Sequence, residues 1–391
     1  MTRMKTNFIH NPLFFRPRLY RTKGIPLLLL LLFFIPASVS KADEGDISRL
    51  AAFADPGRIW GSGIERVLEE AFRLHFQTRI IGGRIMNLRI PFAMNYERDT
   101  LTEEPWGFVY GGKGHPLRLW ERINVLLDSE DFKNYTRALS SGREKIIIFD
   151  LPSQTWSLSF DPLEIARMRA GFYQGLPHRP HVLHSGRGVD ETDVYNFLFG
   201  VGLIGMDCSG FVWHILSHVA AAGGIDLGRT LAGTLGVRDG QDPAWFAGTS
   251  FFNSRSPHII PVDDNISNLR PADIILFRSE DGGMGHAAVI QSIDFSTGII
   301  RYLQCTDEAP FAERGVHDSF IFFDPAFPNV SLSDPSLIWT KRRYAPFPGE
   351  RPSTFADDGL RFRAFPEHGG GRVVRLRAVT EAIERINSRG L

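Results

Sequence analysis

Gly205-Met206-Asp207-Cys208-Ser209-Gly210-Phe211-Val212 holds one of only two cysteines in 391 residues. An apolar run, Phe211-Val212-Trp213-His214-Ile215-Leu216, follows the thiol directly. A polar turn passing into such a run reads as a loop that opens a helix, with Cys208 in the first turn and Asp207 as its cap. First-turn N–H groups have no partner within the helix, and the helix dipole is positive there. Both favour a thiolate. An unperturbed Cys titrates near ~8.5, and at a helix N-terminus or beside a cationic His it falls to roughly 3.5–7.5. Cys208 is therefore the candidate nucleophile.

A thiolate nucleophile needs a base, and the base needs a group that orients it. Gly285-His286-Ala287-Ala288-Val289-Ile290 starts a strand with His286, just after a Gly-rich turn. Arg301-Tyr302-Leu303-Gln304-Cys305 reads as the adjacent strand, so Gln304 lies across one hairpin from His286. Its amide oxygen would accept from the imidazole and set the ring's tautomer. Alternation along a strand sends Gln304 and Cys305 to opposite faces. Cys305 is then structural, and a bridge to Cys208 is not expected, because it would silence the nucleophile.

The downstream pattern is one of short strands rich in β-branched and aromatic residues, over 273–277, 286–293, 299–305, 319–323 and 337–344. Turns at 279–285 and 294–298 separate them, and connections this short imply an antiparallel meander. A nucleophile-bearing helix followed by such a sheet gives an α+β class. Asp161-Pro162-Leu163-Glu164 opens an earlier helix, and 221–271, rich in Gly, Asp, Ser and Pro, reads as an elaborated connection. Residues 43–160 read as a separate N-terminal α/β accessory region, opened by the capping box Ser62-Gly63-Ile64-Glu65. Gly111-Gly112-Lys113-Gly114 is a turn, and not a phosphate loop, because no Gly-Lys-Ser/Thr follows. A C-terminal tail runs over 346–391, with a final helix expected at 373–386.

Four segments together resemble the NlpC family of peptidoglycan cysteine peptidases, a papain-like group. Asp207-Cys208-Ser209-Gly210-Phe211-Val212 resembles its nucleophile signature. Arg270-Pro271-Ala272-Asp273-Ile274-Ile275-Leu276-Phe277 is similar to its Pro-Gly-Asp-Leu strand, with Ala272 in place of Gly. Gly285-His286-Ala287-Ala288-Val289-Ile290 resembles its His strand, and Tyr195, with Phe197, Phe199 and Gly200, its aromatic-Gly segment. The resemblance covers about 161–345. It implies a papain-like NlpC-type domain with the catalytic set Cys208, His286 and Gln304, no metal and no cofactor, cutting peptide bonds in peptidoglycan stem peptides. It also implies that Tyr195, Asp207 and Ser209 help bind the stem peptide, and that the Tyr195 hydroxyl aids the oxyanion. Two departures stand out. The interval from Cys208 to His286 is longer than in a minimal member, pointing to an insertion within 221–268, and Gln304 stands where the family more often has His. Related folds serve as cell-wall amidases and acyltransferases, and an unproductive site would leave a non-catalytic wall-binding protein.

The N-terminus reads as a signal peptide over 1–42. Arg3, Lys5, Arg16, Arg18, Arg21 and Lys23 precede an apolar stretch at 25–35, and Ser40-Lys41-Ala42 suits cleavage before Asp43. The apolar stretch falls short of the ~20 residues a comfortable span needs. An uncleaved anchor is the alternative. Residues 1–42 hold seven of the 44 basic residues and none of the 44 acidic ones, leaving a net charge of −7. That balance argues against nonspecific binding of nucleic acid, which needs phosphate neutralisation. A secreted or periplasmic protein with no stable membrane insertion after cleavage is expected; the oligomeric state stays open. His214 and His218, four apart on one helix, and His178, His181 and His184 in one loop are conceivable metal ligands, but no acidic residue follows His214 as in zinc proteases.

Overall fold

The structure, a computed structural model, describes residues 63–389 apart from 94–95, 99–104, 109–111, 173–178, 280–281, 307–313, 343–354, 357–361 and 364–369. The expected signal segment over 1–42 lies outside the described residues. Among them, no helix is long and apolar enough to cross a membrane.

The first strands form small antiparallel sheets. β1 (Phe76–Ile81) pairs with β2 (Arg84–Arg89), and β3 (Tyr96–Arg98) with β4 (Pro105–Phe108). β5 (Lys145–Asp150) lies between β6 (Thr155–Ser159) and β7 (His181–His184). The other strands are β8 (Ile259–Val262), β9 (Ile274–Arg278), β10 (Met284–Asp294), β11 (Ile299–Thr306), β12 (Gly315–Phe322), β13 (Ile338–Arg342), β14 (Phe355–Ala356) and β15 (Arg372–Leu376). They make one eight-stranded antiparallel sheet in the order β14-β13-β12-β11-β10-β9-β15-β8. The run from β9 to β13 is the expected meander.

The helices of eight residues or more among the described residues are α1 (Gly63–Arg73), α2 (Pro116–Leu127), α3 (Glu130–Leu139), α4 (Pro162–Arg169), α5 (Glu191–Gly200), α6 (Cys208–Ala222), α7 (Leu227–Leu235) and α8 (Arg377–Ser388). α6 is the central one. Asp207 caps it, its carboxylate accepting from the Gly210 N–H at 2.6 Å. Its sides are apolar nearly all round, as suits a helix enclosed by other elements. Phe211, Val212, Ile215 and Val219 are fully buried against Ala287, Val289, Leu303 and Cys305 of the sheet. Each such side chain contributes roughly 1.5–3 kcal/mol by leaving water. The other face of the sheet carries a second core of Phe277, Ala288, Ile290, Tyr302, Ile321 and Trp339. β10 to β12 are thus covered on both faces, which is why their sequences run apolar without a clean alternation.

The chain segments into fewer parts than its sequence suggests. The accessory region expected over 43–160 is not separate: Leu68 and Phe72 of α1 share the core of α6, and β7, beyond residue 160, completes the sheet of β5 and β6. An ion triad fastens the junction. Arg301 of β11 reaches Glu69 of α1 at 2.6 Å and Asp318 of β12 at 3.0 Å, all three buried. The tail expected over 346–391 also belongs to the body. Residues 372–376 are strand rather than helix, because Val373, Val374 and Leu376 are buried between β9 and β8 while Arg375 clamps Asp273 at 2.5 and 2.7 Å. The connection over 221–271 contains α7 and contributes β8 to the main sheet. Ala272 takes φ +72°, a left-handed conformation that suits Gly, the residue of the resembled motif at this point.

Candidate active site

Cys208 occupies the first turn of α6 and is 8% exposed; no disulfide joins it to Cys305. Both its neighbours are held by one cation. Lys113, 4% exposed, donates to Asp207 Oδ1 at 3.1 Å and to Ser209 Oγ, and Ser209 in turn donates to Asp207 Oδ1 at 3.0 Å. The backbone of this segment docks equally closely. Asp207 N–H donates to the Gly112 carbonyl at 2.6 Å, and the His214 ring Nε2 lies 2.8 Å from the Lys113 carbonyl. Gly210 makes the approach possible: a Cβ there would sit 2.8 Å from Gly112 O and 2.9 Å from Lys113 Cα. The Gly in the nucleophile signature is therefore a matter of backbone clearance.

His286 and Gln304 meet on the sheet. The register pairs Ala288 with Gln304, and a bulge between Met284 and His286 sets the imidazole at the strand's start. His286 Nε2 lies 2.8 Å from Gln304 Oε1, and Gln304 Nε2 donates to Ser319 Oγ at 2.8 Å. In this orientation the amide oxygen faces the ring and the amide nitrogen faces the Ser319 hydroxyl, which can accept. Oε1 can only accept, so Nε2 of His286 carries the proton and Nδ1 is the basic nitrogen. Phe277 packs on the imidazole at 5.2 Å between centroids, and Gln304 is fully buried. His317, also buried, stands opposite Gln304 in the register and contacts Thr306 Oγ1 at 3.0 Å.

The two arms reach the same end of the sheet. Alternation puts His286 and Gln304 on the face of Phe277 and Tyr302, while Ala287, Leu303 and Cys305 face α6. Cys305 links the arms: its thiol donates to the Met206 carbonyl at 3.2 Å, two residues before Cys208. Cys305 is thus the strut between β11 and the nucleophile turn, on the face opposite Gln304 as alternation predicts. The Met206 N–H donates to the Pro91 carbonyl at 2.9 Å, and its carbonyl accepts from the Ala93 N–H at 3.2 Å as well.

Tyr195 is placed differently from expectation. It is 2% exposed in α5, and its hydroxyl accepts from the Arg89 N–H at 2.9 Å. That phenol holds β2 and presents no surface to a substrate. Asp207 and Ser209 are engaged with Lys113 and each other, so their observed contacts frame the turn. Among the described residues, no group of three His, Cys, Asp or Glu could hold a metal. His181 and His184 contact Arg179 O and Asp193, with the Asp193 bond raising the His184 pKa; His178 lies outside the described residues. His214 is held down to about 4 by burial, despite its bond to the Lys113 carbonyl. Sequence reasoning missed Lys113, Ser319 and His317. For Lys113 the only local signal was a lysine among glycines.

Compared with protein-family models, with curated proteins and with solved structures, the chain matches none.

Proposed function

We propose that this chain is an exported cysteine hydrolase that cuts peptide bonds in peptidoglycan stem peptides by a Cys208–His286–Gln304 thioester mechanism. The observations that support it are the His286–Gln304 bond at the start of β10 and the Cys305–Met206 bond, which ties the neighbouring β11 to the turn that opens the Cys208 helix. In this mechanism Nδ1 of His286 takes the Cys208 proton. The thiolate attacks the scissile carbonyl carbon, and the oxyanion rests on first-turn N–H groups of α6. One such donor lowers a barrier by ~2.7–4 kcal/mol. The imidazolium returns the proton to the leaving amine, giving the thioester. Water, deprotonated by His286, then releases the acid and restores the thiol.

The test is mass spectrometry of muropeptides incubated with the mature chain, with Cys208→Ala and with Gln304→Leu. A product pair one water heavier than the substrate, split at a peptide bond, is expected from the wild type. Cys208→Ala should give none, and Gln304→Leu at least about tenfold less, since the ring loses its orienting partner. Cleavage between sugar and peptide would instead make the chain an amidase. No cleavage by the wild type, or full cleavage by Cys208→Ala, overturns the proposal.

A further inference from the structure

The Lys113 ammonium is buried in contact with both residues that flank Cys208. Lysine is almost never fully buried without a partner, because desolvating the ammonium is costly. A hydrophobic side chain would hold a turn at less expense. The location suggests what the charge does. Asp207 caps α6 through its carboxylate, and that negative charge stands one residue from the sulfur. Left alone, it would oppose a thiolate by like-charge repulsion. Lys113 neutralises it, so the cap can stay without the penalty.

We infer that Lys113 is a positioning and charge-compensating residue of the Cys208 nucleophile, supplied from 94 residues upstream of Asp207. This inference rests on Cys208 being the nucleophile. The histidines nearest this turn are His214, on the Lys113 carbonyl, and His115, with its ring 5.4 Å from His214. Burial holds both His214 and His115 below their ordinary value, so neither supplies a positive charge at neutral pH. Lys113 is the cation in direct contact with the cap.

The experiment is the rate of iodoacetamide alkylation of the Cys208 peptide, followed by mass spectrometry from pH 5 to 9 on the full chain. Lys113→Met leaves Asp207 uncompensated, so alkylation at pH 6.5 should slow about tenfold and its midpoint move to higher pH by roughly one unit. Asp207→Asn keeps a capping side chain and the cation, so it should shift the midpoint the opposite way. The double variant should return near the wild type, and Lys113→Arg should rescue most of the rate. A packing role alone would not produce opposite shifts. Unchanged profiles in Lys113→Met and Asp207→Asn overturn the inference; if Lys113→Met does not fold, an unchanged Asp207→Asn profile does so alone. A wild-type Cys208 that alkylates only as an ordinary thiol, with a midpoint near ~8.5, overturns the nucleophile assignment instead.

Discussion

Acid should destabilise this fold through His75. The residue follows α1 and is 1% exposed, with its ring edge-on to Phe211 of α6 at 4.8 Å. Nδ1 donates to the Ala71 and Phe72 carbonyls at 3.0 and 3.2 Å, while the buried Nε2 has no hydrogen-bond partner among the described residues. A second ring proton would therefore have no acceptor. Burial, aided by His214, lowers the His75 pKa from 6.5 to about 3, the two carbonyl bonds opposing. Between those values the unfolded chain binds a proton that the folded chain refuses, so stability rises with pH across the window and falls as pH drops below 6.5. At pH 4.5, two units under the unfolded value, the loss is about 2.7 kcal/mol for this one group, and at pH 7.5 it is negligible. His214 acts in the same direction, lowered from 6.5 to about 4. The variant His75→Phe isolates the His75 share. At pH 7.5 it should be less stable than wild type by about 1 kcal/mol, since the two carbonyls lose their donor. Urea unfolding at pH 7.5 and 4.5 gives the comparison. The variant-minus-wild-type difference should move in the variant's favour by about 2–3 kcal/mol on going to pH 4.5. A difference that moves by less than ~0.5 kcal/mol refutes the argument.

Two further outcomes follow from backbone strain and from buried charge. Ala272→Gly should raise the unfolding free energy by about 0.5–1 kcal/mol: the left-handed backbone costs an L-residue ~1–2 kcal/mol, and Gly returns part of that through unfolded-state entropy. A lower urea midpoint for this variant would show that φ +72° is not strained here. Arg301→Leu should cost about 3–5 kcal/mol in the same assay, because Glu69 and Asp318 are left buried without their shared cation. A loss under ~1 kcal/mol would mean that water enters the junction of α1 and β11.

Much of the local structure was readable along the chain. Asp207 before an apolar run specified the start of α6, because a cap acts within one turn. The spacing of His286 and Gln304 across a short hairpin specified that they share a face, because strand alternation is local geometry. The same alternation put Cys305 on the other side. What tertiary structure alone decided is contact between segments far apart. Lys113 reads as part of a Gly-rich turn until Gly210 lets its backbone close on α6. Tyr195 reads as a substrate group until β2 supplies the N–H that claims its hydroxyl. Residues 373–376 read as the start of a helix until the gap between β9 and β8 takes them as a strand, with Asp273 paired to Arg375. Propensity and periodicity act over a few residues, whereas burial and charge pairing act across space. The sequence by itself therefore determined the elements and the chemical types at their ends, and packing decided which of those ends meet.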